Sequence, residues 1–278
     1  MSSGVRRVGL PGGTGRRYVP PPLLCTIIGH NQSNRNPLMH IRYEIDGHTG
    51  IITFANPPYN TLTDPAFEDP ARLQSFFDTP SLKAVLVRGE GRHFCGGADL
   101  EAIRAQAAAP EAFAERLNAG KALLEQIACA PLPVVAAIRG SCLGAGLEIA
   151  LACHFRVAAE SALLGFPETG HQLIPGFGGT LAGDSVPRRE LIGLVLSAEM
   201  IRGDEALGRG LVDRCCAASQ VEQTARALLD SMVARRPVRV IRAAMESLAN
   251  GRRLSRHDAL LRETELFCTL ARVAPEET

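Results

Sequence analysis

The sequence predicts an α/β fold, in which a core of buried strands is covered by helices and followed by a run of helices. Short apolar segments alternate with segments of helical spacing before Arg188, and from that residue onward the apolar spacing is helical throughout. No apolar run approaches the roughly 20 residues that a membrane-spanning helix needs. Apolar residues make up 46% of the 278-residue chain, which is sufficient for a substantial core.

Residues 1–38 stand apart from this pattern. They carry five arginines and no acidic residue, and prolines and glycines interrupt every stretch that could become a helix. We interpret them as a disordered leader, with a mitochondrial transit peptide, a tail and upstream sequence from a misplaced start as the alternatives. The predicted organisation is a leader at 1–38, an α/β core at 39–200 and a C-terminal helical region at 201–278.

The elements of the core follow from local patterns. The segments IRYEID and GIITFAN flank the turn residues Asp46 to Thr49, which predicts a β-hairpin. Further buried strands are predicted at LKAVLVRGEG, LPVVAAIRG, FRVAA and ALLGFPE, with helices at Glu111–Ile127 and at IALAC. The C-terminal helices are predicted at 188–197, 203–209, 219–235, 237–249 and 255–272.

Composition excludes several classes of function. The net charge is +1, and there is no Trp and few other aromatic residues, which argues against a nucleic-acid-binding protein. The eight cysteines form no C-x-x-C pair and have no histidine at zinc-ligand spacing, so no metal site is predicted. Scattered cysteines in apolar surroundings are typical of a reduced protein, and we expect a cytoplasmic protein without a membrane segment.

A glycine-rich turn in GSCLGAGLEIALAC places one acid, Glu148, at the start of a buried-looking helix. Small residues at Gly144, Ala145 and Gly146 allow close backbone approach, and the unpaired N–H groups at a helix start can stabilise an oxyanion. The alternatives are a phosphate cradle or a packing turn. A dinucleotide site fits poorly because Ile149 stands where a small residue is required. A hydrolase elbow fits no better because the G-x-S-x-G motif is absent.

A second turn of the same character follows the strand at LKAVLVRGEG. Gly96, Gly97, Ala98 and Asp99 again place small residues before a helical pattern. Two such turns could each direct one backbone N–H group at a shared carbonyl oxygen, although spacing alone does not show that they converge. Downstream, Glu168 follows a short strand and a proline. If it faces one pocket with Glu148, repulsion and burial raise at least one pKa, which provides an acid beside a base.

The ordered motifs of the chain resemble those of the crotonase family, the enoyl-CoA hydratases and isomerases. They are N-P-P-Y-N-T-L, F-C-G-G-A-D-L, P-V-V-A-A-I-R-G, L-G-A-G-L-E, F-P-E and I-P-G-F-G-G-T, spread over about 240 residues from Met39. The resemblance implies a ββα-superhelix with C-terminal helices that form a trimer or a dimer of trimers. It implies an acyl-CoA thioester substrate and no cofactor beyond the coenzyme A of that substrate.

The resemblance also implies roles for individual residues. The backbone N–H groups of Ala98 and Ala145 correspond to the oxyanion donors, and Glu148 and Glu168 to the pair that adds water to an enoyl double bond. The residues that correspond to substrate contacts are Gly97, Asp99, Leu100, Gly144 and Gly176, and His171 is added as a candidate contact of this chain. The alternative functions are isomerisation, decarboxylation or thioester hydrolysis on the same fold, and a non-catalytic acyl-CoA-binding scaffold.

One departure from the family pattern concerns the residues after Glu168. The family usually continues with aliphatic residues and a glycine, whereas this chain has the polar run Thr169 to Gln172. His171 lies in that run and is interpreted first as a surface turn residue, with substrate contact or proton transfer as the alternative roles. His93 and His154, and the thiols of Cys95 and Cys142, are interpreted as structural.

Overall fold

The structure is a computed structural model that describes residues 41–179 and 186–273. All of these residues belong to one compact unit. The predictions for residues 1–38 therefore lie outside the described residues. The division of the remaining chain at residue 200 stays a prediction.

The described ranges contain nine strands and nine α-helices. The strands are β1 Ile41–Asp46, β2 Thr49–Phe54, β3 Ala84–Gly89, β4 Val134–Ile138, β5 Ser141–Leu143, β6 Phe155–Ala159, β7 Leu163–Gly165, β8 Met200–Arg202 and β9 Arg214–Cys216. The helices are α1 Pro70–Phe77, α2 Leu100–Gln106, α3 Pro110–Ala128, α4 Ala145–Ala152, α5 Arg188–Ser197, α6 Gly203–Gly208, α7 Val221–Val233, α8 Val238–Arg253 and α9 Arg256–Ala271. None of these helices is both long enough and apolar enough to cross a membrane.

The main sheet has the strand order β1-β2-β3-β4-β6-β9. β1 and β2 form the predicted antiparallel hairpin, and every following neighbour in the sheet pairs in parallel. The inner strands are continuous apolar runs, and all five residues of β4 are buried, as expected for a parallel sheet that is covered on both faces. The α/β fold class predicted from the sequence is confirmed.

A small second sheet of β5, β7 and β8 lies beside the main one. β5 and β7 pair in parallel, with Leu143 opposite Gly165, and β8 pairs with β7 in antiparallel orientation. Because the carboxyl ends of parallel strands lie at the same edge, the segments that follow β5 and β7 begin next to each other. These are α4, which carries Glu148, and the 3-10 helix Pro167–His171, which carries Glu168.

α4 is buried along its whole length, since all eight of its residues are inaccessible. Seven of them are apolar or glycine. The helix pairs its own backbone N–H and C=O groups, so few unpaired polar groups are buried with it. Glu148 is the exception in an otherwise apolar helix, with 3% of its surface exposed. A carboxylate in this position must find hydrogen-bond donors from other parts of the chain.

The structure corrects several expectations about single elements. The segment after Arg188 is not helical throughout, because β8 and β9 fall within it and β9 extends the main sheet beside β6. Strands of three residues are too short to show a period of two, which is why the sequence did not reveal them. Helix α1 was also missed, although Asp69 caps it and Pro70 occupies its first turn.

Candidate active site

The two glycine-rich turns lie against each other. The N–H group of Cys95 donates to the carbonyl of Ser141 at 3.1 Å, and the N–H group of Leu143 donates to the carbonyl of Cys95 at 3.0 Å. Gly97 has φ of 96°, and a Cβ added there would lie 2.7 Å from the Leu143 carbonyl oxygen. Only glycine permits both this conformation and this approach. The two turns therefore lie side by side in the fold, and the shared carbonyl oxygen between their N–H groups stays a prediction.

Each turn presents one unpaired backbone N–H group. Leu62 bonds to both neighbours of Ala98, since its N–H group donates to the Gly97 carbonyl at 2.9 Å and its carbonyl accepts from Asp99 at 2.8 Å. Within the described ranges, the N–H group of Ala98 makes no hydrogen bond. The same holds for Ala145 at the start of α4, where the helix supplies no acceptor. A carbonyl oxygen that gains negative charge could be bound by two such donors.

Glu148 is held by the loop that follows residue 175. Its Oε1 atom accepts hydrogen bonds from the N–H groups of Phe177 at 3.1 Å and Gly178 at 2.7 Å. Burial raises the pKa of the Glu148 carboxyl, and these two donors, together with Gly179 and the charge of Lys121, limit that rise. Backbone donors of this kind favour the ionised carboxylate.

Glu168 lies over the start of α4 in a different environment. A Cβ added at Gly144, where φ is 51°, would lie 2.5 Å from Glu168 Oε1. The other oxygen, Oε2, is buried and has no hydrogen-bond partner among the described residues. Burial raises the pKa of Glu168 to about 7, the negative charge of Glu148 adds to this rise, and the backbone N–H group of Glu168 itself opposes it. Glu148 therefore accepts two backbone hydrogen bonds that favour its anion, whereas one oxygen of Glu168 has no partner among the described residues and the pKa of that carboxyl is about 7.

The remaining predicted site residues lie at the start of α2, at the end of the 3-10 helix and just before the loop residues that bind Glu148. Asp99 is a helix cap, because its side chain accepts from Glu101 N at 2.9 Å and from Ala102 N at 3.1 Å at the start of α2. Leu100 is the first residue of that helix, Gly176 is exposed just before the loop residues that bind Glu148, and His171 ends the 3-10 helix. Contact of these residues with a substrate stays a prediction.

Sequence reasoning missed Phe177 and Gly178 as the residues that bind Glu148. The motif I-P-G-F-G-G-T indicated Gly176, whereas the donors are the next two residues. The composition of the loop was a signal, because glycines allow consecutive N–H groups to face one anion. No local pattern shows which carboxylate that anion is.

The histidines close to these turns accept hydrogen bonds from backbone N–H groups. Ser141 N donates to Nδ1 of His93 at 3.0 Å, and Val134 N donates to Nδ1 of His154 at 2.9 Å. Burial lowers the pKa of both, that of His154 to about 4. Cys95 and Cys142 are fully buried with free thiols. The described part of the chain contains no group of three acidic, histidine or cysteine side chains that could hold a metal ion.

Comparison with known proteins identifies the family of this chain. A family model described as "Enoyl-CoA hydratase/isomerase" matches residues 44–275. A "Probable enoyl-CoA hydratase" of Bacillus subtilis is 38% identical over 179 residues, which are 62% of this chain and 67% of that protein. The "Glyoxysomal fatty acid beta-oxidation multifunctional protein MFP-a" of Cucumis sativus is 36% identical over 246 residues, which are 82% of this chain and 33% of that protein.

Solved structures agree in the fold. An enoyl-CoA hydratase from Polaromonas sp. JS666 is superimposed with a TM-score of 0.74 at 28% sequence identity, over 84% of this chain and 91% of that one. An enoyl-CoA hydratase from Geobacillus kaustophilus HTA426 has a TM-score of 0.76 at 24% identity over 84% of this chain and 89% of that one, and at this identity the likeness concerns the fold alone.

Proposed function

Because the chain belongs to the enoyl-CoA hydratase/isomerase family, also called the crotonase family, we propose that it adds water across the double bond of a 2-enoyl-CoA thioester. The observation that carries this proposal is the asymmetry of the carboxyl pair. Glu148 accepts two backbone hydrogen bonds that favour its anion, and burial raises the pKa of Glu168 to about 7. Addition of water needs one base and one acid on the same substrate, and this pair supplies both at neutral pH.

The thioester carbonyl binds between the two glycine-rich turns. Its oxygen accepts hydrogen bonds from the N–H groups of Ala98 and Ala145, which are unpaired among the described residues. As the reaction proceeds, negative charge develops on that oxygen and the acyl group becomes enolate-like. The dipole of α4 also favours this charge, since Ala145 begins the helix. Loss of one such donor typically costs about 2.7–4 kcal/mol of transition-state stabilisation.

Protons move through the two glutamates. Glu148 removes a proton from water, and the resulting hydroxide oxygen bonds to the β-carbon while the double bond becomes the enolate. Glu168 then delivers its proton to the α-carbon as the carbonyl re-forms. Glu148 is left protonated and Glu168 ionised, and exchange of one proton through water restores the starting state. The product is a 3-hydroxyacyl-CoA thioester.

The proposal includes the partners that the family resemblance implies. Coenzyme A enters the reaction only as part of the substrate, and the site is proposed to work without a metal or a redox cofactor. A homotrimer or a dimer of trimers, formed through the C-terminal helices, is supported by the exposed apolar residues Leu260, Leu261 and Phe267 on α9. A cytoplasmic location is proposed along with these features.

The test follows the ultraviolet absorbance of 2-enoyl-CoA thioesters of short and medium chain length. The purified protein should abolish the conjugated absorbance, and Glu148→Gln and Glu168→Gln should each lower kcat at least about 100-fold. Bound substrate without loss of absorbance in the wild-type protein would contradict hydration. Migration of the double bond, loss of carbon dioxide or release of free coenzyme A in that case would identify isomerisation, decarboxylation or thioester hydrolysis.

A further inference from the structure

The loop that binds Glu148 is itself held by a contact with α3. Gly120 is buried in that helix, and the ring of Phe177 occupies the space beside it. A Cβ added at Gly120 would overlap the Phe177 ring and would lie 2.5 Å from the Pro65 carbonyl oxygen. The ring of Phe177 is buried, with 4% of the residue exposed. The ring of Phe177 can therefore occupy this position only because residue 120 has no side chain.

Phe177 also continues a column of aromatic rings through the core. Its ring packs edge-on against Phe67 with centroids 5.7 Å apart, and Phe67 packs against Phe54 at 6.2 Å. Phe54 in turn contacts Phe94 at 5.7 Å, shortly before the glycine-rich turn of Gly96 to Asp99. Packing of this kind restricts each ring to one position. The column thus connects the loop on Glu148 with the turn that carries Ala98.

We propose that Gly120 and Phe177 are positioning residues for Glu148: the ring of Phe177, seated on Gly120, keeps the N–H groups of residues 177 and 178 on the carboxylate. Both residues act on Glu148 through the loop backbone. In its effect on catalysis this inference rests on the proposed hydration. The contact between loop and carboxylate can also be measured without substrate.

The consequence for the pH dependence follows from the groups around Glu148. The 3-10 helix presents the carboxyl group of Glu168, α3 presents the cation of Lys121, and the loop presents its backbone donors. When the loop loosens, the donors that favour the carboxylate are lost, while the burial of Glu148 within α4 remains. The acidic limb of the kcat/KM profile, which follows ionisation of the base, then moves to higher pH.

The experiment compares two variants with two matched controls. Phe177→Leu shortens the ring, and Gly120→Ala fills its seat. Phe77→Leu changes an equally buried phenylalanine in α1, and Gly193→Ala adds a methyl group in α5 where no atom lies within 4 Å. Amide hydrogen exchange at residues 177 and 178 is measured in each folded protein, followed by the pH profile of hydration.

We expect exchange at residues 177 and 178 to become at least about tenfold faster in both loop variants. Local opening of the loop costs less free energy there, because the ring contact that it must break in the wild type is already lost. We expect kcat to fall about 10- to 100-fold with a smaller change in KM, because the base is misplaced. The acidic limb should move to higher pH, and both controls should keep the wild-type values. Slow exchange with an unchanged acidic limb in Phe177→Leu would overturn the inference, and this variant decides it even if Gly120→Ala does not fold.

The same measurements separate failure of the inference from failure of the proposed function. An inactive wild-type protein with accelerated exchange in the loop variants would reject hydration and retain the anchoring of the loop on Glu148. An active wild-type protein whose loop variants match Phe77→Leu in exchange and in pH profile would reject the anchoring and retain hydration.

Discussion

Replacement of Glu168 by glutamine should make the folded protein more stable at alkaline pH, although it removes a proposed catalytic group. Burial beside Glu148 raises the pKa of Glu168 from 4.5 to about 7. The folded state therefore binds the proton more tightly than the unfolded chain does. Its stabilising contribution is fully present below pH 4.5 and is lost as the pH rises through 7. A neutral glutamine avoids that loss.

The magnitude follows from the two pKa values. The pKa of Glu168 in the folded protein lies roughly 2.5 above its usual value of 4.5, and a pKa difference of one corresponds to about 1.36 kcal/mol. Relative to the wild-type protein, the free energy of unfolding of Glu168→Gln should rise by up to about 3 kcal/mol from acidic to alkaline pH. The gain is small at pH 5 and reaches its full size above about pH 8.

Urea denaturation of both proteins at pH 5, 6.5 and 8.5 measures this difference. Other groups that titrate in the same range, such as His154, contribute equally to both proteins and cancel. Glu148→Gln is the parallel variant, because burial also raises the pKa of the Glu148 carboxyl; relative to the wild type it should likewise gain stability as the pH rises. A difference between Glu168→Gln and the wild type that is the same at all three pH values would refute the reasoning.

Three further predictions concern other positions. Gly144→Ala places a Cβ 2.5 Å from the Glu168 carboxylate, so the hydration kcat should fall about 100-fold; Gly47→Ala, which is equally strained at φ of 61° but meets no atom within 4 Å, should keep the wild-type kcat. Because burial lowers the pKa of His154 to about 4, its neutral form stabilises the fold above pH 6.5. Relative to His154→Gln, the wild-type protein should lose about 3 kcal/mol as the pH falls from 6.5 to 4, measured by urea denaturation; parallel profiles would contradict this. Arg156→Met removes a buried cation that donates to two backbone carbonyls, and thermal denaturation should show a loss of about 3 kcal/mol; a loss below about 1 kcal/mol would contradict a structural role for this charge.

The fold could be predicted where the pattern is local. The hairpin of β1 and β2 follows from two apolar runs around Asp46 to Thr49, and the buried helix α4 from its unbroken run of small and apolar residues. The strands β5, β8 and β9 could not be predicted, because three residues do not make a period. Their positions depend on partners that lie 20 or more residues away in the chain.

The candidate site shows the same division. The residue types of the two turns and the presence of Glu148 and Glu168 were legible in the sequence, because glycines, helix starts and carboxylates have a chemistry of their own. The sequence did not show which of the two carboxyl groups is placed to favour its anion. The hydrogen bonds from Phe177 and Gly178 to Glu148 and the unpaired oxygen of Glu168 exist only after the chain has folded.

Local stretches of sequence were enough to predict the α/β class and the two glycine-rich turns, and the order of short motifs along about 240 residues was enough to predict the family. Only the folded chain shows that Cys95 pairs with Ser141 and Leu143, that Glu168 lies over Gly144, and that the Phe177 ring rests on Gly120. These contacts join distant segments whose meeting depends on the parallel pairing of β5 with β7 and on the packing of α3. A pKa near 7 for Glu168 follows from that burial, and no property of an isolated glutamate could predict it.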